Sequence, residues 1–163
     1  MQLPIWQPFI NEWYTFALFL LFIFILIGIS EFAQSILRWN PEFTRKLVHL
    51  FVGTIVSACP FIFKSNIPPI LLAGIFIFIN ALALKTDKFK GIHSTDRFSY
   101  GTVYFPIAFL ILALFWWEKP ITLILSMLIM TFSDTIAAVI GERTTQPRQF
   151  RIWEDIKSVE GCL

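Results

Sequence analysis

Cysteine and charge are both scarce in this chain. Its two cysteines, Cys59 and Cys162, lie far apart, with no CxxC pair and no cluster of histidine and cysteine around them. This spacing excludes a thiolate metal site of the usual kind and gives no reason to expect a disulfide scaffold. Charged residues make up 15% of the chain and the net charge is only +2. A nucleic-acid partner therefore has little support, because such partners are held by clusters of basic residues.

Basic residues are missing from the start of the sequence. No lysine or arginine precedes Arg38. A secretory signal needs a positively charged region before its apolar stretch. We therefore expect the first apolar stretch to be a membrane span and not a cleaved signal.

Apolar residues are abundant. They make up 56% of the chain, with 19 Phe, 6 Trp and a mean hydropathy of +0.71. A water-soluble domain of this size cannot hide so much apolar surface, because a small domain leaves a large share of its area exposed. The charge-free windows predict an all-α, polytopic membrane protein with about five transmembrane helices in a single integral-membrane domain. We expect spans at about residues 13–36, 46–63, 66–84, 99–117 and 120–141, followed by a cytoplasmic tail at 142–163.

The distribution of basic residues orients these spans. Segments 38–46, 85–97 and 142–163 contain all of the 13 lysines and arginines except Lys64 and Lys119. These three segments fall on one side of the membrane if the spans alternate, and the positive-inside rule makes that side cytoplasmic. The prediction is a multi-pass protein of the bacterial inner or plasma membrane, with its N-terminus outside and its C-terminus in the cytoplasm.

Residues 40–53 place polar side chains at the cytoplasmic entrance of the second span. Arg45, His49 and Gly53 are four residues apart and share one helix face, with Lys46 beside them. The ordinary interpretation makes Arg45 and Lys46 positive-inside anchors and His49 a hydrogen-bonded interfacial residue. That interpretation leaves unexplained a histidine nearly one turn deep in an apolar span, where ionisable residues are costly and often functional.

Two further polar segments are predicted on the same side. Residues 94–106 mix Ser, Thr, Asp and Gly where the fourth span begins, and a helix N-terminus offers free N–H groups to an anion. The alternative is a simple N-cap, and no Walker-type glycine and lysine spacing is present. In the tail, Lys157 can neutralise phosphate, and Glu160 can share a metal ion or accept a proton. Lys157 and Glu160 share a face if the tail is helical, and the alternative is a solvated amphipathic tail.

Asp134 lies near the cytoplasmic end of the fifth span. An aspartate at the centre of a spanning helix costs about 2.5–3.5 kcal/mol, and less near the interface. The small residues Ala138 and Gly141 follow on the same face and leave room for a ligand. The carboxylate can pair with a nearby Arg or Lys, or it can hold Mg²⁺ together with nucleotide phosphates. Polar signals at several cytoplasmic helix ends favour the second interpretation, a metal- and phosphate-binding site.

Four segments in order carry a family resemblance: "RKLVH", "SYGTVYFP", "SDTIAAVIGE" and "KSVEG". In this order they resemble the phytol kinase and dolichol kinase family of CTP-dependent polyprenol kinases, which is related to the CDP-diacylglycerol synthases. The resemblance runs from about residue 42 to the last residue. It implies transfer of a phosphoryl group from CTP to the hydroxyl of a long isoprenoid alcohol, with Mg²⁺ as cofactor, at the cytoplasmic face of the bilayer.

The resemblance also implies roles for individual residues. Asp134 would bind Mg²⁺ and the CTP phosphates, and Gly141 would open the nucleotide loop. The tail matches the family's Lys-Ser/Thr-x-Glu-Gly segment, and the start of the second span matches its Arg-Lys-x-x-His segment. The implied catalytic residues are Asp134, Lys157 and Glu160. The implied nucleotide- and phosphate-binding residues are Arg45, Lys46, His49, Gly141, Ser158 and Gly161.

The sequence departs from the family pattern at three points. Ser133 stands where the family usually has glycine before the aspartate, and Thr145 stands where it often has a second glycine. The family also continues past Glu-Gly into further helices, which implies a truncated member or helices supplied from elsewhere. Two alternatives remain open. One is a cytidylyltransferase acting on a phosphorylated lipid, and the other is a non-enzymatic transporter or scaffold in which Asp134 and His49 carry protons or merely form pairs.

Overall fold

A computed structural model of the chain describes residues 10–86, 101–144, 148–152 and 155–159. Six α-helices form a bundle within these residues, and a two-stranded antiparallel hairpin follows them. The helices are α1 (Ile10–Ser35), α2 (Pro41–Ser57), α3 (Cys59–Ile62), α4 (Ile67–Thr86), α5 (Gly101–Phe115) and α6 (Pro120–Arg143). The strands are β1 (Gln149–Ile152) and β2 (Asp155–Ser158).

The all-α prediction is confirmed for the bundle but is wrong for the tail, which forms two strands. Gln149 pairs with Ser158 and Ile152 with Asp155 in the hairpin, and the amide of Val159 donates to the carbonyl of Arg148 at 3.0 Å. Alternating side chains such as Phe150 and Ile152 suit a strand better than a helix. Lys157 therefore lies on a strand and not on the helical face that its spacing to Glu160 suggested.

Each predicted span coincides with a helix, but the second is divided. Helix α2 ends at Ser57, and α3 begins at Cys59. Pro60 has no N–H to bond the carbonyl four residues earlier, so it interrupts the helical hydrogen bonds at this point. Among the described residues, two helices are long and apolar enough to cross a membrane, α1 and the part of α6 from Pro120 to Gly141. Shorter apolar helices cover Ile67–Leu82 and Thr102–Phe115. Five crossings and their orientation stay predictions.

The helix starts follow from local sequence. The side chain of Asn40 accepts a hydrogen bond from the amide of Glu42 at 2.9 Å and caps α2, with Pro41 in the first turn. Ser65 caps α4 in the same way, since its hydroxyl accepts from the amide of Ile67 at 3.1 Å. Proline also stands in the first turn of α6, at Pro120. Proline is well suited to this position because first-turn amides have no helical partner.

Contacts between helices fix their directions. Asn66, directly before α4, and Asn80 of α4 donate to the carbonyls of Ala113 and Thr102 of α5, at 3.3 and 2.9 Å, so α4 and α5 are antiparallel. Pro106 lies four residues after Thr102 and has no N–H, so the usual helical donor to the Thr102 carbonyl is missing and Asn80 supplies one from α4.

Helices α2 and α6 are also antiparallel, and their contacts lie at His49–Asp134 and Gly53–Thr131. The start of α2 and the end of α6 therefore meet at one end of the bundle, and a contact between His49 and Phe105 brings the start of α5 to the same end. We call this end the basic end, because the described cations Arg38, Arg45, Lys46 and Arg143 lie there.

Apolar side chains fill the centre of the bundle and also cover its outside. Ile23, Leu123 and Met127 are fully buried in the core, which extends through Phe109 and Ala113. Large apolar side chains are exposed on α1, α4 and α6, among them Phe22, Phe78 and Ile129. A contiguous apolar exterior of this kind requires a covering. The hydrocarbon of a bilayer would be such a covering, and the membrane location expected from the composition stays a prediction.

Candidate functional site

The site is built on the face of α2 that the sequence singled out. Arg45 lies in the second turn of α2 and forms an ion pair with Glu42, with 2.7 Å between Arg45 Nη2 and Glu42 Oε2. Glu42 is three residues earlier, which is the spacing at which helix side chains meet. The sequence analysis missed this partner. The pair holds a guanidinium at the basic end, half-exposed, next to the half-buried Lys46.

His49 lies one turn further into the bundle and faces two other helices. Its ring packs edge-to-face against Phe105 of α5, with 4.8 Å between ring centroids. Its Nε2 atom lies 3.6 Å from Oδ2 of Asp134 on α6. That distance is too long for a hydrogen bond, and Nε2 is buried without a hydrogen-bond partner in the described structure. His49 is thus not the satisfied interfacial residue of the ordinary interpretation.

A close helix crossing holds His49 near Asp134. Gly53 is one turn beyond His49 on α2 and lies against Thr131 of α6. A methyl group at Gly53 would be 2.6 Å from Cγ2 of Thr131, which is far inside normal van der Waals contact. The Thr131 side chain is fully buried, and its hydroxyl donates to the carbonyl of Met127 at 2.7 Å. The absence of a side chain at Gly53 therefore lets α2 and α6 approach closely enough for the next turn to bring His49 to Asp134.

Asp134 is open to ligands. Its side chain is 72% exposed, whereas that of His49 is 24% exposed. The ion-pair alternative, with an Arg or Lys as partner, is not what the structure shows, since the ionisable side chain beside Asp134 in the described residues is His49, with 3.6 Å between Nε2 and Oδ2. Ala138 and Gly141 follow on α6 as the sequence indicated, and both are half-buried.

Gly141 requires a correction. The resemblance implied that Gly141 opens a nucleotide loop, but α6 continues through it to Arg143. Two features extend the helix. Arg143 is a cation in the last turn, where it is favourable to the helix dipole. The amide and hydroxyl of Thr144 both donate to the carbonyl of Ile140, at 3.1 and 2.8 Å.

Helix α5 adds a polar group that the sequence analysis did not select. Thr102 lies in the first turn of α5, and its Oγ1 atom is buried without a hydrogen-bond partner among the described residues. Its carbonyl is fixed by Asn80. The sequence contains a sign of this contact, because Asn80 is a lone side-chain amide in a long apolar run. The rest of the predicted anion-binding entrance, residues 94–100, lies outside the described residues.

The structure brings together only part of the predicted site. Arg45, Lys46, His49 and Asp134 lie at the basic end. Lys157 and Ser158 are described by their backbone in β2, so their approach to Asp134 stays a prediction. Glu160 and Gly161 lie outside the described residues, as does Thr145. Within the described ranges, no three His, Cys, Asp or Glu residues group closely enough to hold a metal ion alone.

A carboxylate and cations at one end of a helix bundle can bind only a few kinds of ligand. One exposed carboxylate and two cations at the same end of the bundle suit Mg²⁺ with bound phosphates, because Mg²⁺ commonly uses one or two protein carboxylates and takes its other ligands from phosphate and water. The exposed Asp134 is a suitable hard-oxygen donor for such an ion. The residues present therefore fit a magnesium–phosphate ligand.

Comparison with known proteins gives one informative similarity. The chain is 27% identical over 156 residues to a protein named phytol kinase from Synechocystis sp.. The match covers 93% of the chain, and the chain spans 65% of the length of that relative. No protein-family model matches the chain. No solved structure matches it either. The similarity supports a relationship to phytol-kinase-like proteins, which is the direction that the four sequence segments indicate.

Proposed function

We propose that the chain carries the phosphotransfer site of a CTP-dependent kinase. Its substrate would be the hydroxyl group of a long-chain isoprenoid alcohol, at the cytoplasmic face of a membrane that the chain crosses several times. The observation that supports this most is the meeting of His49 and Asp134 across α2 and α6, with Nε2 and Oδ2 3.6 Å apart at the basic end. The name of the Synechocystis relative supports the kinase class and the alcohol.

Asp134 is the proposed holder of Mg²⁺. Its exposed carboxylate would bind the ion, and the CTP phosphates and water would complete the ligand set. Held by Asp134 and the CTP phosphates, Mg²⁺ would supply positive charge to offset the negative charge that develops during phosphoryl transfer. The protein's own task is to fix the position of the carboxylate, which the Gly53–Thr131 contact does from one turn away.

Arg45 and Lys46 are the proposed phosphate-binding cations. Phosphoryl transfer depends mainly on positioning and charge neutralisation, so cations beside the carboxylate are what the reaction requires. Glu42 holds the Arg45 guanidinium at 2.7 Å before a ligand arrives. Phosphate oxygens would then share or replace this partner, because guanidinium binds phosphate in a similar forked geometry.

The tail is proposed to complete the nucleotide site. Lys157 and Ser158 would come from β2, and Glu160 and Gly161 from the residues after it. A hairpin can deliver these groups from outside the bundle, since β1 begins soon after the end of α6. In this arrangement Asp134, Lys157 and Glu160 are the catalytic residues.

The alcohol would reach the site from the bilayer. At the depth of Asp134 along α6, Phe132 is 44% exposed and Ile136 is 54% exposed, on a face of the helix other than that of the carboxylate. Apolar surface at the depth of a carboxylate lets a hydrocarbon chain stay in lipid while its hydroxyl reaches the phosphate. A water-soluble acceptor has no use for such a surface.

Label transfer tests the proposal. Membranes containing the full chain would receive Mg²⁺, a panel of prenols and phospholipids, and CTP labelled at either the α- or the γ-phosphate. Transfer of γ-label to a prenol, absent from membranes without the chain, is the expected result. Transfer of α-label to a phospholipid would identify a cytidylyltransferase and refute the kinase proposal. Absence of transfer from both positions would also count against it.

A further inference from the structure

We infer that His49 and Thr102 form a subsite between α2 and α5 that binds the hydroxyl group of a lipid-soluble alcohol. This inference rests on the proposed function, and it assigns the recognition of the acceptor to two residues. The resemblance placed His49 with the nucleotide phosphates, whereas its surroundings suit a neutral hydroxyl better.

The starting observation is a pair of unsatisfied polar atoms. His49 Nε2 and Thr102 Oγ1 are the buried side-chain nitrogen and oxygen atoms that have no hydrogen-bond partner in the part of the chain that the structure describes. Buried polar atoms nearly always have a partner, because an unpaired one loses its hydration without compensation. Lipid offers no hydrogen bonds to replace that hydration. Two such atoms at the same end of the bundle therefore indicate a ligand that satisfies both.

Helix geometry places the two residues along one interface. The His49 ring contacts Phe105 of α5 with a centroid distance of 4.8 Å. Thr102 precedes Phe105 by three residues and thus lies on the same side of α5, one turn nearer the basic end. It also continues the inward-facing row of α5 formed by the buried Pro106 and Phe109. The bond from Asn80 to the Thr102 carbonyl fixes the backbone at this turn.

The chemistry of the two atoms fits an alcohol. A hydroxyl group has one donor and two acceptor positions, so it can donate to an imidazole nitrogen and accept from a threonine hydroxyl at once. A phosphate would instead prefer the charged side chains of Arg45 and Lys46, which lie nearer the basic end. The aromatic ring of Phe105 provides an apolar wall for the carbon chain. Asp134, 3.6 Å from His49 Nε2, would hold the nucleotide next to the bound hydroxyl.

Two shape-preserving variants test the subsite. Thr102→Val removes the hydroxyl, and His49→Phe removes the ring nitrogens but keeps a ring against Phe105. We would measure binding of a photoreactive long-chain alcohol to the purified full chain in lipid nanodiscs, without nucleotide. Each variant should weaken this binding by between about twofold and tenfold, the usual contribution of one hydrogen bond.

Thermal stability provides a readout that a purely structural role would not give. Each variant removes an unpaired buried polar atom, so without alcohol both should raise the Tm of the protein. Added alcohol should raise the Tm of the wild type more than that of either variant. Thr54→Val is the matched control, because its hydroxyl is exposed and donates to the carbonyl of Leu50 on its own helix. This control should leave alcohol binding unchanged.

Three results in the binding and stability measurements would overturn the subsite. The first is unchanged alcohol binding in both variants. The second is a lower Tm in both variants without ligand, which would mean that water or structure already satisfies these atoms. The third is a methyl ether of the same chain length that competes as well as the alcohol, which would mean that the hydroxyl is not recognised. Because binding is measured without CTP, failure of the kinase proposal would leave this test intact. Label transfer with an unchanged KM for alcohol in Thr102→Val would overturn the subsite alone.

Discussion

Replacing Gly53 with alanine perturbs the contact that sets the distance between α2 and α6. The new methyl group would meet Oγ1 of Thr131 and lie 2.6 Å from its Cγ2 and 3.0 Å from its Cβ. Non-bonded carbon atoms rest at about 3.5–4.0 Å, so the helices must separate by about 1 Å at this point. Thr131 cannot easily turn away, because it is fully buried and its hydroxyl is bonded to the Met127 carbonyl.

The expected cost has two parts. Overpacking of a buried contact costs about 1–3 kcal/mol, and the helix preference of alanine over glycine returns about 0.5–1 kcal/mol. The free energy of unfolding should therefore fall by about 1 kcal/mol, and by no more than about 2.5 kcal/mol. The same separation should lengthen the His49–Asp134 distance, which is 3.6 Å in the structure. A displacement of about 1 Å at a phosphotransfer site can reduce turnover on the order of 100-fold.

Thermal unfolding in detergent and γ-phosphate transfer would measure the two effects. Thr131→Ala removes Oγ1 and Cγ2, so the double variant with Gly53→Ala should recover part of both losses. Gly28→Ala and Gly74→Ala are the matched controls, because a methyl group at either position has nothing within 4 Å. These controls should be neutral or slightly stabilising. A Gly53→Ala protein as stable and active as the Gly74→Ala protein would refute the reasoning.

Two further variants test the hydrogen bonds that hold the bundle, both by thermal unfolding. Asn80→Leu should lower the free energy of unfolding by about 0.5–2 kcal/mol, because the Thr102 carbonyl loses its donor. Adding Pro106→Ala to this variant should restore most of the loss, because alanine supplies a helical N–H. A double variant no more stable than Asn80→Leu would contradict this explanation. Glu12 is 7% exposed and accepts from the amides of Lys64 and Ser65 at 2.6 and 3.1 Å. Glu12→Ala should lower Tm more than Glu12→Gln, which keeps one acceptor oxygen, and equal losses would count against it.

The helices were predictable because their signals are local. Apolar windows of membrane-crossing length, bounded by charges, mark each element, and residues such as Asn40 and Pro120 mark helix starts without reference to any other part of the chain. The hairpin was not predictable in the same way. A strand is stabilised by the strand that pairs with it, and this pairing leaves no local signal. The three-residue spacing of Lys157 and Glu160 fits a helix as well as an irregular tail.

The candidate site was predictable only as a set of separate residues. Arg45, His49 and Asp134 could each be placed at one end of the bundle from loop charge and span counting. Their mutual distances depend on the Gly53–Thr131 crossing, and a single sequence does not reveal which small residue meets which partner. Gly141 shows the converse difficulty. Glycine often ends helices, but here Arg143 and Thr144 carry α6 past it.

Several polar side chains that were not predicted to matter serve as hydrogen-bond partners for backbone groups that would otherwise have none. Pro106 frees the Thr102 carbonyl, and Asn80 satisfies it from another helix. At the opposite end of the bundle, Glu12 satisfies two loop amides, and the indole N–H of Trp117 donates to the Lys64 carbonyl at 3.1 Å. In an apolar medium every backbone group needs such a partner. A lone polar residue in an apolar helix therefore suggests that a proline in a neighbouring helix has left a carbonyl without its usual donor.

The central claim is that Asp134 belongs to the phosphotransfer site. It is tested most directly by comparing two variants, Asp134→Asn and Glu118→Gln, in the transfer of γ-label from CTP to a prenol. Glu118→Gln removes one exposed carboxylate at the opposite end of the bundle, and Asp134→Asn removes the one beside His49. With equal amounts of each protein in the membrane, Glu118→Gln should transfer label like the wild type. Asp134→Asn should be slower by on the order of 100-fold or more, the usual effect of losing a group that stabilises the transition state. Equal transfer by the two variants would contradict the assignment of Asp134 to the phosphotransfer site.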